Sequence, residues 1–410
     1  MCTSINHRFD YLLEKDNIIK AIHEAFMDTN TRQHPDVQEI LSDLAYHVSM
    51  IKYIVENNLF TVQKHRIRII WDKCSRKERM IMEPYYLYNS DGNPCYEHII
   101  HHLLIDAIRP YLEKTFIHWT CGSIPNRGSV YGMKHVKKII RKTPHRVKYC
   151  LKVDINHSYQ NIDISILKQK LEKHIHDRRY LDLLFKVLDS NVGTLTHKDG
   201  TRETISMGLP IGFYTSQWLA NYFLNDYDHY IFDYLKQTTY TRYIDDQVIF
   251  SPNKRELHKI LKLIKQYLKK EKLELKSNYQ IFKFHYIDKY NKEKYRPLDF
   301  LGYKFYRNRT TLRKSLLHNI VTKARIINKT TKESTITWKE ACGFLSYLGY
   351  LKRTNTRKYY NKYIAHNISL KHLKDLVRQH IKEISTQRAE NIKNGKTIKW
   401  SLKNLQVIAY

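Results

Sequence analysis

The chain has 410 residues, 42% of them hydrophobic, with 32 Tyr and 14 Phe, which supports two or three packed subdomains and reads as globular rather than disordered. Its 71 Lys and Arg against 40 Asp and Glu leave a formal net charge of +31, an excess that repels itself in a compact fold unless a polyanion shares the surface, so nucleic acid is expected as partner ahead of a membrane. No run of 18 apolar residues is present to span a bilayer, the N-terminal MCTSINHRFDYLLEKDN has no signal-peptide apolar stretch, and six scattered cysteines without a CxxC pair argue against a disulfide framework or a zinc finger and for the reducing cytoplasm.

Residues 1–60 read as mostly helical, an N-terminal extension. The alternating runs RIRIIW (66–71) and RMIMEPYYLY (79–88) predict strands joined by a basic connection. Helical periodicity returns over 97–142, interrupted by the loop CGSIPNRGS at 121–129. From Val147 the pattern VKYCLKVD predicts a strand that ends at Asp154. A helix follows, then a loop around Gly208-Leu209-Pro210, then a helix from about Ser216 to Leu235. Thr239–Tyr243 and Gln247–Phe250 read as the arms of a β-hairpin with Tyr243-Ile244-Asp245-Asp246 at its tip. Asn253 and Glu256 form a capping-box-like helix start, after which Leu257, Ile260, Leu261, Ile264 and Leu268 line one helical face. Strand-like segments come near 279–286 and 298–306, and basic helical sequence runs from about residue 311 to the end. This order suggests an α+β core, an antiparallel sheet with helices on one side, with boundaries near residues 60, 150 and 310.

Two adjacent carboxylates at a tight hairpin tip repel each other, so either they sit in a solvated acidic turn or they hold a cation. Asp154, at the end of its strand, reads alone as a strand-end cap. Taken together, Asp154, Asp245 and Asp246 suit a sharper use: one carboxylate at a strand end and two at an adjacent hairpin tip can hold two divalent cations. Two such ions, about 3.5–4 Å apart, stabilise both the attacking and the leaving oxygen of an in-line phosphoryl displacement. Mg²⁺ suits the oxygen donors, with Mn²⁺ as a substitute.

Four segments in order resemble blocks of the reverse transcriptase family: DINHSY (154–159) its motif A, GLPIGFYTSQWLAN (208–221) motif B, YIDD (243–246) motif C and DFLGYKF (299–305) motif E. LELKSN (273–278) lies where motif D falls. The resemblance implies a right-hand polymerase fold, with fingers over 61–150, a palm over 151–310 that carries the catalytic motifs, and a helical thumb and tail over 311–410. It implies that Asp154 and Asp245 bind two Mg²⁺ ions, with the backbone of Ile155 and the carboxylate of Asp246 beside them. Tyr159 would be the steric gate that selects dNTPs over ribonucleotides. Gly212 and Gln217 would line the nucleotide site. In the connection WDKCSRKERM (71–80), Arg79 and either Lys73 or Lys77 would bracket the triphosphate, against the alternative of a solvated charged turn. Lys276 would protonate the leaving pyrophosphate or simply face a phosphate. Phe300, Leu301, Gly302 and Tyr303 would form the primer grip, and Arg127-Gly128 would lie near the template.

One departure separates the chain from many bacterial relatives. They carry Gln before the motif B Gly and Ser-Pro after it, whereas here Ile211 precedes Gly212 and Ser216-Gln217 follow. That form resembles the enzymes of diversity-generating retroelements and some defence-associated ones, and implies altered fidelity. His98, His101 and His102 share a helical face, but with no Cys or carboxylate at matching spacing they read as structural or RNA-facing. The segment SYLGYLKRTNTRKYYNKYI (346–364) suits a thumb that grips a duplex backbone. The resemblance implies an RNA template, a DNA primer or product and dNTPs as partners, with a dedicated noncoding RNA, a protein partner or self-association in addition. Three functions stay open: an RNA-templated DNA polymerase of antiphage defence or of a diversity-generating element, a DNA polymerase needing little template, and an inactive RNA-binding scaffold.

Overall fold

Four helices open the chain, α1 (Phe9–Leu13), α2 (Lys15–Ala25), α3 (Pro35–Ser42) and α4 (Leu44–Glu56), in a computed structural model that describes residues 5–27, 31–72, 77–197, 199–333 and 335–393. Helical spacing sets what they bury: α2 turns Ile18, Ala21, Ile22 and Ala25 inward. Pro35 suits the first position of α3, and the Asp43 carboxylate caps α4 by accepting from the Tyr46 amide at 3.1 Å. Strands β1 (His65–Asp72) and β2 (Lys77–Met82) pair antiparallel, with Ile67 opposite Met82 and Ile70 opposite Arg79. β2 stops at Met82, short of the run expected to Tyr88, because Pro84 cannot donate to a ladder.

α5 (Glu97–Thr115) packs on α2, and β3 (Thr120–Cys121), α6 (Ser129–Lys142) and β4 (Tyr149–Asp154) follow. Where one helix is expected after Asp154, the chain forms two, α7 (Ile164–Glu172) and α8 (Arg178–Asp189), and then a hairpin of β5 (Val192–Thr196) and β6 (Arg202–Ser206). Two aspartate caps divide the helices: Asp163 accepts from the Ile166 amide at 3.1 Å and Asp177 from the Tyr180 amide at 3.2 Å. α9 (Tyr214–Phe223), α10 (Asn225–His229) and a π-helical turn at Tyr230–Tyr234 fill the expected 216–235 segment. β7 (Thr241–Tyr243) and β8 (Asp246–Ser251) make the hairpin, and α11 (Lys254–Lys270) buries Leu257, Ile260, Leu261, Ile264 and Leu268, the apolar face read from its spacing.

β9 (Gln280–Lys283), β10 (His285–Ile287) and β11 (Glu293–Tyr295) come next. The single strand expected over 298–306 is split into β12 (Leu298–Phe300) and β13 (Tyr303–Phe305), because Leu301 and Gly302 take φ of 57° and 83° and turn the chain back on itself. β14 (Thr310–Leu312), α12 (Lys314–Lys332), α13 (Trp338–Lys352), α14 (Arg357–Tyr360) and α15 (Leu370–Lys393) complete the described chain.

Packing divides the chain into two units. One comprises Met1–Gly132, Leu151–Ile249 and Arg255–Gln280; the other comprises Met133–Cys150, Phe250–Lys254 and Ile281–Tyr410. In the first, strands in the order β2-β1-β5-β6 close over Ile67, Met82, Leu195, Met207 and Phe213. A second, five-stranded sheet holds β3, β7, β8 and β4 side by side in that order; β3 runs parallel to β7, and β7 antiparallel to β8 with Tyr243 opposite Asp246. In the other unit, β12-β13-β14 form an antiparallel sheet whose Phe300, Tyr303, Phe305 and Leu312 are buried, as are Ile320 and Ala324 of α12 and Phe344 of α13. The architecture is α+β. Among the described residues no helix is long and apolar enough to cross a membrane.

Candidate active site

β4 carries Asp154 to its end, and the β7–β8 turn carries Asp245 with Asp246 opening the second arm. The backbone joins the two: the Ile155 amide donates to the Asp245 carbonyl at 3.2 Å. All three carboxylates therefore meet at one end of one sheet. The turn places Ile244 at φ 56°, left-handed backbone that a β-branched residue adopts only when its surroundings hold it there. Those surroundings are specific. The Ile244 amide donates to the Cys121 carbonyl at 3.1 Å, and its carbonyl accepts from Arg242 Nη1 at 2.9 Å. Its side chain lies over Gly122, where a Cβ would fall 2.7 Å from Ile244 Cγ1.

Arg242 is wholly buried. Its Nε and Nη2 donate to Asp228 at 2.7 and 2.6 Å, and its Nη1 also donates to Asn221 Oδ1 at 3.0 Å. Asp228 accepts further bonds from Thr120 Oγ1 at 2.6 Å and the Tyr240 hydroxyl at 2.7 Å. This network fixes the hairpin to α9, α10 and β3, and the sequence reading missed it. The available signal was an Arg immediately before Tyr243 in an otherwise uncharged run, Tyr240–Ile244.

Burial raises the affinity of the tip carboxylates for a proton, and their crowding adds to it. Asp245 is raised above the usual carboxylate range by burial and then by Asp154. Asp246 is pushed up to about 6 by burial, against the opposing pull of Lys152 and with the further push of Asp154 and Asp245. Two ammonium groups answer part of this charge. Lys276 pairs directly with Asp154, placed there by its amide, which donates to the Asp154 carbonyl at 2.9 Å. Lys152 Nζ lies 3.8 Å from Asp246. A cleft of about 90 Å³ opens here, lined by Lys152, Asp154, Asp246, Asn278 and Tyr279 among others.

Among the described residues no group of three or more His, Cys, Asp or Glu is already gathered to hold a metal ion. The donor set nevertheless fits a hard divalent cation. Asp245 and Asp246 stay raised despite the nearby Lys152, Lys276 and Arg79, so a cation would be welcome there, and Mg²⁺ asks the protein for only one or two carboxylates, taking its other oxygens from water and phosphate.

Tyr159 is half-buried; its hydroxyl bonds to Ser123 and burial raises its pKa. The Gly208-Leu209 strap clamps its turn through Leu209 N to Tyr159 O at 2.8 Å and Gly208 N to Gln160 O at 2.9 Å. A Cβ at Gly208 would fall 2.4 Å from the Ile162 carbonyl oxygen. Gly212, at φ 122°, faces the end of β2, where its Cβ would come 2.1 Å from the Met82 carbonyl oxygen. Gln217 is exposed on α9. Arg79, exposed on β2, lies close enough to draw the Asp245 pKa down, and Lys77 is exposed at the start of the same strand; Lys73 lies outside the described residues. Arg127 is turned to its own loop, its Nη1 donating to the Ile117 carbonyl at 3.0 Å. The α5 histidines are structural: His101 Nδ1 meets Thr215 Oγ1 at 2.7 Å, His102 stacks on Tyr214 at 3.7 Å, and His98 meets the Ala25 carbonyl. In the other unit, Phe300 and Tyr303 are core residues, so that segment presents the Leu301-Gly302 turn rather than its aromatic rings.

Residues 94–305 match the family model described as reverse transcriptase (RNA-dependent DNA polymerase). The chain is similar to the putative COX1/OXI3 intron 2 protein of Saccharomyces cerevisiae, 26% identical over 145 residues, 35% of this chain and 16% of that protein. It is also similar to protein YkfC of Escherichia coli, 24% identical over 137 residues, 33% of this chain and 35% of that one. The matches thus span well under two thirds of these relatives. Among solved structures, apo telomerase of Candida tropicalis, truncated from its C-terminal domain, aligns at TM-score 0.46 and 13% identity over 67% of this chain and 60% of that one. Telomerase of Candida albicans with a telomeric RNA fragment aligns at TM-score 0.44 and 13% identity over 80% of this chain and 61% of that one.

Proposed function

The chain belongs to the reverse transcriptase family, and from that premise we propose that it is an RNA-directed DNA polymerase whose catalytic carboxylates are Asp154, Asp245 and Asp246. The observation that carries this reading is the junction of the β4 end with the β7–β8 turn, where the Ile155 amide bonds to the Asp245 carbonyl, the three carboxylates crowd one another, and Asp154 and Asp246 line one cleft. Asp154 and Asp245 would hold Mg²⁺, with Asp246 and the Ile155 backbone alongside; bound there, the metal neutralises charge on the reacting phosphoryl group. Tyr159, beside the carboxylates in the same unit, excludes a ribose 2′-hydroxyl and selects dNTPs. Arg79 and either Lys73 or Lys77 receive the triphosphate, and Gly212 and Gln217 shape the nucleotide site. Lys276 is placed to hand a proton to pyrophosphate. In this reading, residues 61–150 serve as fingers, 151–310 as palm and 311–410 as thumb, and the Leu301-Gly302 turn meets the primer.

Residues 1–60 and the SIPNRGS loop (123–129) depart from what is expected of diversity-generating enzymes, which supports a role in antiphage defence with a dedicated noncoding RNA as template. The decisive experiment is incorporation of labelled dNTPs by the full chain with Mg²⁺, on co-purified RNA and on a defined RNA template with a DNA primer. The control is Asp245→Ala/Asp246→Ala. Synthesis lost both in the variant and after RNase treatment is the expected result. Synthesis that survives RNase replaces the reading with untemplated polymerisation, and no incorporation in any condition replaces it with an RNA-binding scaffold. Sequencing the product names the template, and phage plating on cells with and without the gene tests the defence role.

A further inference from the structure

The second unit contains a groove of about 690 Å³ between α6 and the C-terminal end of α13. Eight of the described residues line it and seven of these are basic: Lys134, Lys137, Lys138, Arg141 and Lys142 on α6, Lys352 on α13 and Arg353 just after it. The α6 residues follow the spacing i, i+3, i+4, i+7, i+8, so they form one continuous stripe, while Met133, Val136, Ile139 and Ile140 are buried. Lys137 joins the two walls by donating to the Arg353 carbonyl at 3.4 Å. The chain that forms the two walls supplies no acid of its own: no Asp or Glu stands between Glu113 and Asp154, nor between Glu340 and Asp375.

We propose that this groove binds the phosphate backbone of a double-stranded segment of the RNA with which the enzyme works, a proposal that rests on the polymerase reading above. A concave wall of one sign focuses its field, and seven cations brought together gain most from a polyanion. The stripe repeats each helical turn, about 5.4 Å, a step comparable with the separation of successive phosphates. Lysine dominates it, a point charge that grips phosphate without reading bases. Among the described residues no aromatic side chain lines the groove, whereas surfaces that hold splayed single strands add rings on which bases stack. Double-stranded RNA, recognised through shape and backbone, needs no such platform. Met133, the one apolar lining residue among those described, is buried, so this wall offers no wedge for a lipid surface.

The test compares the full chain with Lys134→Glu/Lys138→Glu/Arg141→Glu, all three positions exposed. The probes are a blunt RNA duplex of about 16 base pairs, a single-stranded RNA of the same length, and vesicles containing anionic phospholipid. The duplex affinity is expected to fall at least tenfold, and its salt dependence to flatten by about two to three in the slope of log K against log salt. Single-strand affinity should change less than threefold. DNA synthesis at a saturating short RNA template and DNA primer should be retained, which separates this site from the catalytic one. Because charge reversal can unfold a helix, the Gln triple variant is measured in parallel and should give a smaller loss in the same direction, with an unchanged melting temperature. An unchanged duplex affinity and slope overturns the proposal. So does a loss confined to single strands or to vesicles. If neither chain polymerises yet the duplex loss persists, the catalytic reading falls and the groove stands.

Discussion

A guanidinium taken wholly out of water is tolerable only when its donors find acceptors, and Arg242 meets Asp228, Asn221 and the Ile244 carbonyl. Arg242→Ala leaves Asp228 buried without its counter-charge, and is expected to cost about 3–5 kcal/mol, read from the denaturant midpoint. Arg242→Lys keeps the charge but loses the fork that reaches both Asp228 and the turn carbonyl. It is therefore expected to lower kcat for dNTP incorporation while leaving KM for the nucleotide nearly unchanged. At Tyr159, replacement by Ala should reduce the preference for dNTPs over ribonucleotides by about tenfold or more, measured as the ratio of kcat/KM values. An unchanged ratio would remove the gate from Tyr159.

Straps and turns act as whole elements. The 208–212 strap carries two glycines for different reasons: Gly208 because the Ile162, Tyr159 and Gln160 carbonyl oxygens crowd it, Gly212 because φ is 122° and Met82 lies against it. Gly212→Ala must move the end of β2 as well as the strap, since Met82 N donates to Ile211 O at 3.0 Å. A loss of about 1–3 kcal/mol in thermal or chemical unfolding is the expected outcome. α5 sets a pH limit. Burial, with the charge of His101 behind it, holds His98 down to about 4, and burial with His98 and His101 holds His102 well below the usual imidazole value. Both rings stay neutral in the fold but take up protons in the unfolded chain below about pH 6.5. The unfolded state then binds more protons, so stability present above that pH is lost progressively as pH falls toward 4. Melting curves from pH 7.5 to 5 should show this decline, and His98→Gln should flatten part of it.

For the whole molecule, a formal charge of +31 makes RNA affinity a salt-dependent quantity. Affinity for any RNA should fall by orders of magnitude between about 50 and 200 mM salt, and a flat titration would separate the charge from binding. The charge is legible in composition alone, and so are the elements that matter most. The α11 apolar face, the β7–β8 hairpin and the strand ending at Asp154 follow from periodicity and turn chemistry, which act over a few neighbouring residues. The sequence by itself therefore determined the α+β class and singled out Asp154, Asp245 and Asp246. It did not show the division of the 155–207 segment into two helices and a hairpin, since aspartate caps interrupt a helical pattern without changing its period. Only the tertiary structure decided that Lys276 rests on Asp154, that Arg242 and Asp228 hold the turn, and that a basic stripe of α6 faces the end of α13. Lys276 lies far along the chain from Asp154, and α6 from α13. Arg242 and Asp228 are separated by a change of element. No periodic signal links such pairs, and they become partners only when the strands and helices between them pack.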